Sequence, residues 1–143
     1  MITTFELVTR LLFAAFFGGI VGFEREYYGK SAGVRTYALV SIGSALFTLL
    51  STYGFQGSAV DPSRIASQVV VGIGFLGAGE IIHRGSKTVI GLTTAAGLWV
   101  SAAIGMAIAV GWYEVGIVTA ILVVLILHVI GAVRYRMEHP QHS

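Results

Sequence analysis

Glu24 and Glu80 stand where long apolar stretches end, and each has basic or hydroxyl residues nearby in sequence. Glu24 is followed by Arg25, and Arg35 and Thr36 open the next apolar stretch. Thr93 and Thr94 open the stretch after Glu80. Carboxylates, hydroxyls and backbone carbonyls are the hard oxygen ligands that Mg2+ prefers, so a weak cation site on Glu24 and Glu80 is one reading. The other is a structural ion-pair network in which Arg25 or Arg35 neutralises Glu80.

A second series, Asp61, Arg64, Gln68, Gly72, Gly79 and His83, falls on one side of a helix that turns about 100° per residue. Polar groups are costly in hydrocarbon, so the stripe is expected to face the bundle interior or a partner, as a hydrated seam or a hydrogen-bonded packing face. Asp61, Pro62 and Ser63 read as a helix start, with Asp61 as N-cap and proline at the first helical position. Arg10 has Glu6 four residues before it and is expected to pair with it and reach outward, with Asp61 as the alternative partner.

Other chemistries find little footing. The run GIGFLG, residues 72 to 77, has the letters of a dinucleotide fingerprint, but an apolar span follows where a strand–helix unit and a carboxylate are needed. Its glycines are better read as helix-packing positions. There is no nucleophile with a base, no H-E-x-x-H, no P-loop and no paired-histidine metal spacing, so no enzyme is expected. His128 is alone in an apolar segment, and His139 and His142 belong to a short tail.

The elements that carry these residues follow from composition. Of 143 residues 55% are hydrophobic and 11% charged, with mean hydropathy +0.83. That is an integral membrane protein organised as one domain, 1–143, with no linker to divide it. A formal charge of +2, spread over loops, does not suggest nucleic acid, and without cysteine there is no thiolate metal site. Five segments are apolar enough to span a bilayer, Phe5–Phe23, Thr36–Phe55, Arg64–His83, Leu92–Gly111 and Trp112–Val133. An all-α polytopic bundle of five transmembrane helices is predicted. Its first helix is expected to be retained rather than cleaved, since Glu6 precedes any basic residue and no small-residue cleavage pattern follows.

Arg25, Lys30, Arg35, Arg84, Lys87, Arg134 and Arg136, seven of the nine basic residues, fall on one side of this topology. The N-terminus is therefore expected outside and the C-terminus in the cytoplasm. Gly22, Gly72, Gly74, Gly77, Gly79, Gly97 and Gly105 are the expected helix-packing positions. With glycines on two sides, the third helix is expected to be central.

Three ordered blocks, GGIVGFEREYYGKSAGVRTYALVSIGSALFTLLS, DPSRIASQVVVGIGFLGAGEIIHRG and GLTTAAGLWVSAAIGMAIAVG, strongly resemble the MgtC/SapB family of bacterial inner-membrane proteins. The resemblance implies a multi-pass protein of the inner membrane, associated with adaptation to low magnesium and, in pathogens, with virulence. It also implies a regulator that binds another membrane protein, the F-type ATP synthase being the partner suggested for some members. A transporter or channel for Mg2+ or another cation, with a path along the third helix, is the alternative, and self-association stays open. No cofactor is expected.

The family blocks fall here on Gly22, Glu24 and Arg25, on Ala32, Gly33, Arg35 and Thr36, and on Asp61, Pro62 and Arg64. They continue on Gly72, Gly74, Gly77, Ala78 and Gly79, and on Gly91, Thr94, Ala95, Ala96, Trp99 and Gly105. Glu80 and Thr93 depart from the pattern, since many members have an apolar residue and an asparagine there. Many members continue into a cytosolic C-terminal domain, whose properties are not carried over.

Overall fold

The computed structural model describes residues 2–55, 57, 60–84 and 88–138, and the side chains of these apart from 82–84, 88 and 130–138. The elements in order are α1 (Thr4–Tyr27), α2 (Val34–Leu49), α3 (Arg64–Glu80), β1 (Ile82–Arg84), β2 (Thr88–Ile90), α4 (Leu92–Ala109) and α5 (Tyr113–Glu138). A π-helical turn, Leu50–Gly54, prolongs α2. The fourth and fifth segments are separate helices, divided at Gly111, whose φ of +88° is one a side chain would strain.

The all-helical expectation holds apart from one feature. Strands β1 and β2 form an antiparallel hairpin with Ile82 opposite Ile90 and His83 opposite Val89. The β-branched residues on either side of Gly85 and Ser86 are the signal that would have predicted it. Its far end returns to α4 through Gly91 at φ +96°, where a β-carbon would run into the Glu80 carbonyl.

Among the described residues three helical stretches are long and apolar enough to cross a membrane, Thr4–Tyr27, Val34–Gly54 and Leu92–Ala109, and the described apolar part of α5 is Tyr113–Val129. The 17 residues of α3 rise only about 25 Å, short of a hydrocarbon core of about 30 Å. Large apolar side chains such as Phe5, Phe16, Phe75 and Ile126 point outward on several helices. So much exposed apolar surface is stable only against lipid or protein, so the chain is a membrane protein.

The central helix is α4 and not α3. Helix α4 packs against each of the other four and buries residues along its whole length, from Thr94 to Ala109. Helix α3 leans on α4, touches α2 only lightly, and buries just Ala66, Ile73 and Gly77. A glycine count measures how closely a helix can be approached, whereas position in the bundle depends on whether neighbours arrive.

The neighbours arrive at other glycines. Helix α2 is wedged between glycine faces of α1 and α4. A β-carbon on Gly18 would sit 2.6 Å from Ser41 Cβ, and one on Gly22 would sit 2.8 Å from Gly33 O, Tyr37 Cβ and Val34 Cα. From the other side Gly97 faces the Tyr37 hydroxyl and Gly105 faces the Ser41 backbone, while Ser101 Oγ donates to Tyr37 O at 3.0 Å. Close backbone approach of this kind supplies the packing that a hydrophobic drive cannot supply inside a bilayer.

Candidate functional site

At the end of the bundle that carries the α1–α2 loop and the hairpin, four polar side chains meet in the core. Glu24 and Arg25 on α1, Tyr37 on α2 and Thr94 on α4 are all buried. Arg25 Nη2 donates to Thr94 Oγ1 at 3.4 Å, and its Nη1 lies 3.7 Å from Glu24 Oε2. The Tyr37 hydroxyl donates to the Thr94 carbonyl at 3.2 Å. That carbonyl belongs to the first turn of α4, so Tyr37 and Arg25 together pin the start of the central helix.

Of the residues expected here, Glu24, Arg25 and Thr94 are brought together. Arg35, Thr36 and Thr93 are exposed and turned elsewhere. Glu80 Oε2 accepts from Ser31 Oγ at 2.5 Å in the α1–α2 loop, so neither Arg25 nor Arg35 is its hydrogen-bond partner. Glu26, in contrast, caps α2 by accepting from Val34 N at 2.9 Å.

This cluster does not fit a resident Mg2+. Glu24 faces a fixed guanidinium, whose charge repels a cation, and Glu80 is engaged with the loop serine. Among the described residues no three His, Cys, Asp or Glu side chains gather as a metal set. Glu24 Oε2 and Arg25 Nε have no hydrogen-bond partner among the described residues, which leaves this ion pair with little compensation for its burial.

The stripe on α3 faces outward. Asp61, Arg64, Gln68, Gly72 and Gly79 are all exposed, so of the two expectations, the bundle interior or a partner, the interior one is corrected; the His83 side chain lies outside the described residues. Gln68 and Gly72 open onto a groove of about 580 Å³ between α2 and α3, whose α2 wall includes Leu39, Gly43 and Phe47. Among the described residues Gly72, Gly74 and Gly79 have no neighbour within 4 Å of where a β-carbon would be, so packing among those residues does not use them; Gly77 meets Ala95 Cβ at 3.6 Å.

Asp61 does not cap α3 directly. Its Oδ1 accepts from Ser63 N at 2.9 Å and Ser63 Oγ at 2.7 Å, and these hydrogen bonds hold its carboxyl below the ordinary value of 3.8. The helix begins at Arg64, and its free N–H groups are taken by Ser51 from the π turn, whose Oγ accepts from Ile65 N at 3.1 Å and Ala66 N at 3.2 Å. At the same end Arg10 pairs with Glu6, as expected, but it is buried rather than reaching outward, because the Ala109 carbonyl holds its guanidinium inside the bundle; its alternative partner Asp61 is not used. Arg10 also donates to Tyr53 Oη at 3.4 Å and to the Ala109 carbonyl.

Tyr37, Ser41, Ser51 and Ser101 are polar sites that the sequence motifs do not mark. On α2 and its extension, Tyr37, Ser41, Ser44, Thr48 and Ser51 recur at alternating spacings of four and three, the seam of a packed helix, and that spacing was the available signal.

The MgtC family model matches residues 11–136. YhiD of Escherichia coli K12, described as a proposed magnesium transporter, is 47% identical over 97% of this chain and 67% of its own length. SrpB of Synechococcus elongatus is 39% identical over 82% of the chain and 71% of its own. MgtC of Salmonella typhimurium is 43% identical over 83% of the chain, which spans half of that protein. No solved structure matches. The glycine-faced wedge around Tyr37 and Ser41, the Glu24–Arg25–Thr94 cluster and the family match lie on the same stretch of sequence, and the chain belongs to the MgtC family.

Proposed function

We propose that this chain is a multi-pass protein of a bacterial inner membrane, with its N-terminus outside and C-terminus in the cytoplasm. In this reading it supports magnesium homeostasis by binding and modulating another membrane protein, and catalyses no reaction itself. The supporting observation is α3, a helix at the edge of the bundle whose Gly74 is open to the surroundings and is followed four residues later by the exposed Ala78. A small-xxx-small pair left uncovered within one chain is a surface on which a second transmembrane helix can pack closely. The link to magnesium rests on the relatives, one of which is described as a proposed magnesium transporter. The F-type ATP synthase is the candidate partner. The orientation draws on Lys87 and on the side chains of Arg84, Arg134 and Arg136, which lie outside the described residues.

The test is growth at limiting magnesium together with cross-linked partner recovery, comparing the native chain with Gly74→Leu. The variant should reach the membrane at native levels and lose both. Retention of both would remove the reading. The second reading, cation transport, takes support from the YhiD description. It requires specific Mg2+ flux in liposomes that Glu24→Gln abolishes, and such flux would displace the regulator reading.

A further inference from the structure

The side of α3 that flanks the α2–α3 groove carries a pattern that the partner helix above does not need. Gln68, Gly72, Phe75 and Gly79 follow one another at spacings of four, three and four and are all exposed, Phe75 at 83%. This is the spacing of a left-handed helix pair, with Gln68 and Phe75 as knobs and Gly72 and Gly79 as the holes beside them. A knob set between two glycines on its own helix matches one particular partner well, the same helix related by a two-fold axis, because each Phe75 then lies against the other copy's glycines.

The ends of the groove favour the same occupant. Near its Ile65 end stand Asp61 and Arg64, both exposed, and near its Thr36 end stand Arg35 and Glu80. An anionic lipid headgroup would meet a carboxylate at either end. A second copy would set Arg64 against the other chain's Asp61, and the reverse, so the charges complement themselves. Gln68 completes the match, since an amide both donates and accepts and can pair with its own image where hydrocarbon offers it nothing.

We propose that two copies of this chain associate in the membrane through α3, with Gln68, Gly72, Phe75 and Gly79 as the seam and each Phe75 seated at the mouth of the other's α2–α3 groove. The dimer is independent of the partner assigned above, which approaches α3 from the side of Gly74 and Ala78.

The chain has no cysteine, so single-cysteine scanning is clean. Cysteines placed one at a time at residues 68, 72, 75 and 79 should give disulfide-linked dimers when native membranes are oxidised with copper phenanthroline, and those at 70, 74 and 78 should not. Each variant is first checked for membrane insertion and for a native elution profile in detergent. Asp61→Arg should lower cross-linking at position 68 several-fold, and co-expression with an Arg64→Asp chain should restore it. Cross-linking at both sets of positions alike, at the second set only, or at none would overturn the proposal. So would a monomer by native mass spectrometry that retains a phospholipid lost on Gly72→Leu.

Discussion

Arg10 Nη1 on α1 donates to the carbonyl of Ala109, the last residue of α4, at 2.5 Å. The guanidinium thereby closes the C-terminal end of the central helix, where the macrodipole is negative and carbonyls lack intrahelical partners. Its Cζ atom also lies 5.9 Å from the Tyr53 ring centroid, so one side chain joins α1, the π turn and the α4–α5 corner. Arg10→Met should destabilise the bundle by about 2 kcal/mol, since a hydrogen bond to a charged group is lost and a carbonyl orphaned. Thermal unfolding in detergent measures this. Glu6→Gln should cost little, because Glu6 is substantially exposed and surface ion pairs contribute weakly.

The glycines divide into two classes that one substitution separates. At Gly105 a β-carbon would run into the Ser41 backbone, which cannot rotate aside, so Gly105→Ala should cost about 3 kcal/mol or more and expel α2 from its wedge. At Gly74 a β-carbon meets none of the described residues within 4 Å, and Gly74→Ala should leave the isolated chain's fold unharmed or stabilise it by up to about 1 kcal/mol. Equal effects at the two positions, by the same unfolding measurement, would contradict the packing described.

Arg25→Met should be damaging, at about 3–5 kcal/mol, because it leaves the buried Glu24 carboxylate without its counter-charge. The double variant Glu24→Gln with Arg25→Met should recover much of that loss, since a neutral amide beside a thioether removes the uncompensated charge. A double-mutant cycle showing simple additivity would mean that the two side chains do not interact.

The turn before α3 should respond to acid. Asp61 has its folded value below the ordinary 3.8 because Ser63 donates to it twice. Its contribution is therefore present above 3.8 and is lost as pH falls through the lower folded value. Amide exchange at the start of α3 should quicken over that acid range, and Asp61→Asn should remove the pH dependence there. Exchange that stays insensitive to acid in the native chain would rule the turn out as the responding group.

The sequence by itself determined the class of molecule and much of its packing. Apolar length and low charge placed the helices within a few residues, because a bilayer demands such runs and α-helices satisfy their own backbone. The packing positions Gly22 on α1 and Gly97 and Gly105 on α4 are legible in the sequence because small residues stand out in an apolar helix, and the faces that carry them meet α2. Glycine-rich α3 looked central by the same rule, yet its Gly72, Gly74 and Gly79 stand open. Spacing says which residues share a face of one helix. Which face meets which neighbour is a long-range property, and so are the caps that Ser51 and Arg10 supply to helices distant in sequence. Only the tertiary structure decided that Tyr37 joins Glu24, Arg25 and Thr94, and that the polar stripe of α3 looks out of the bundle, because both depend on where the chain returns in space.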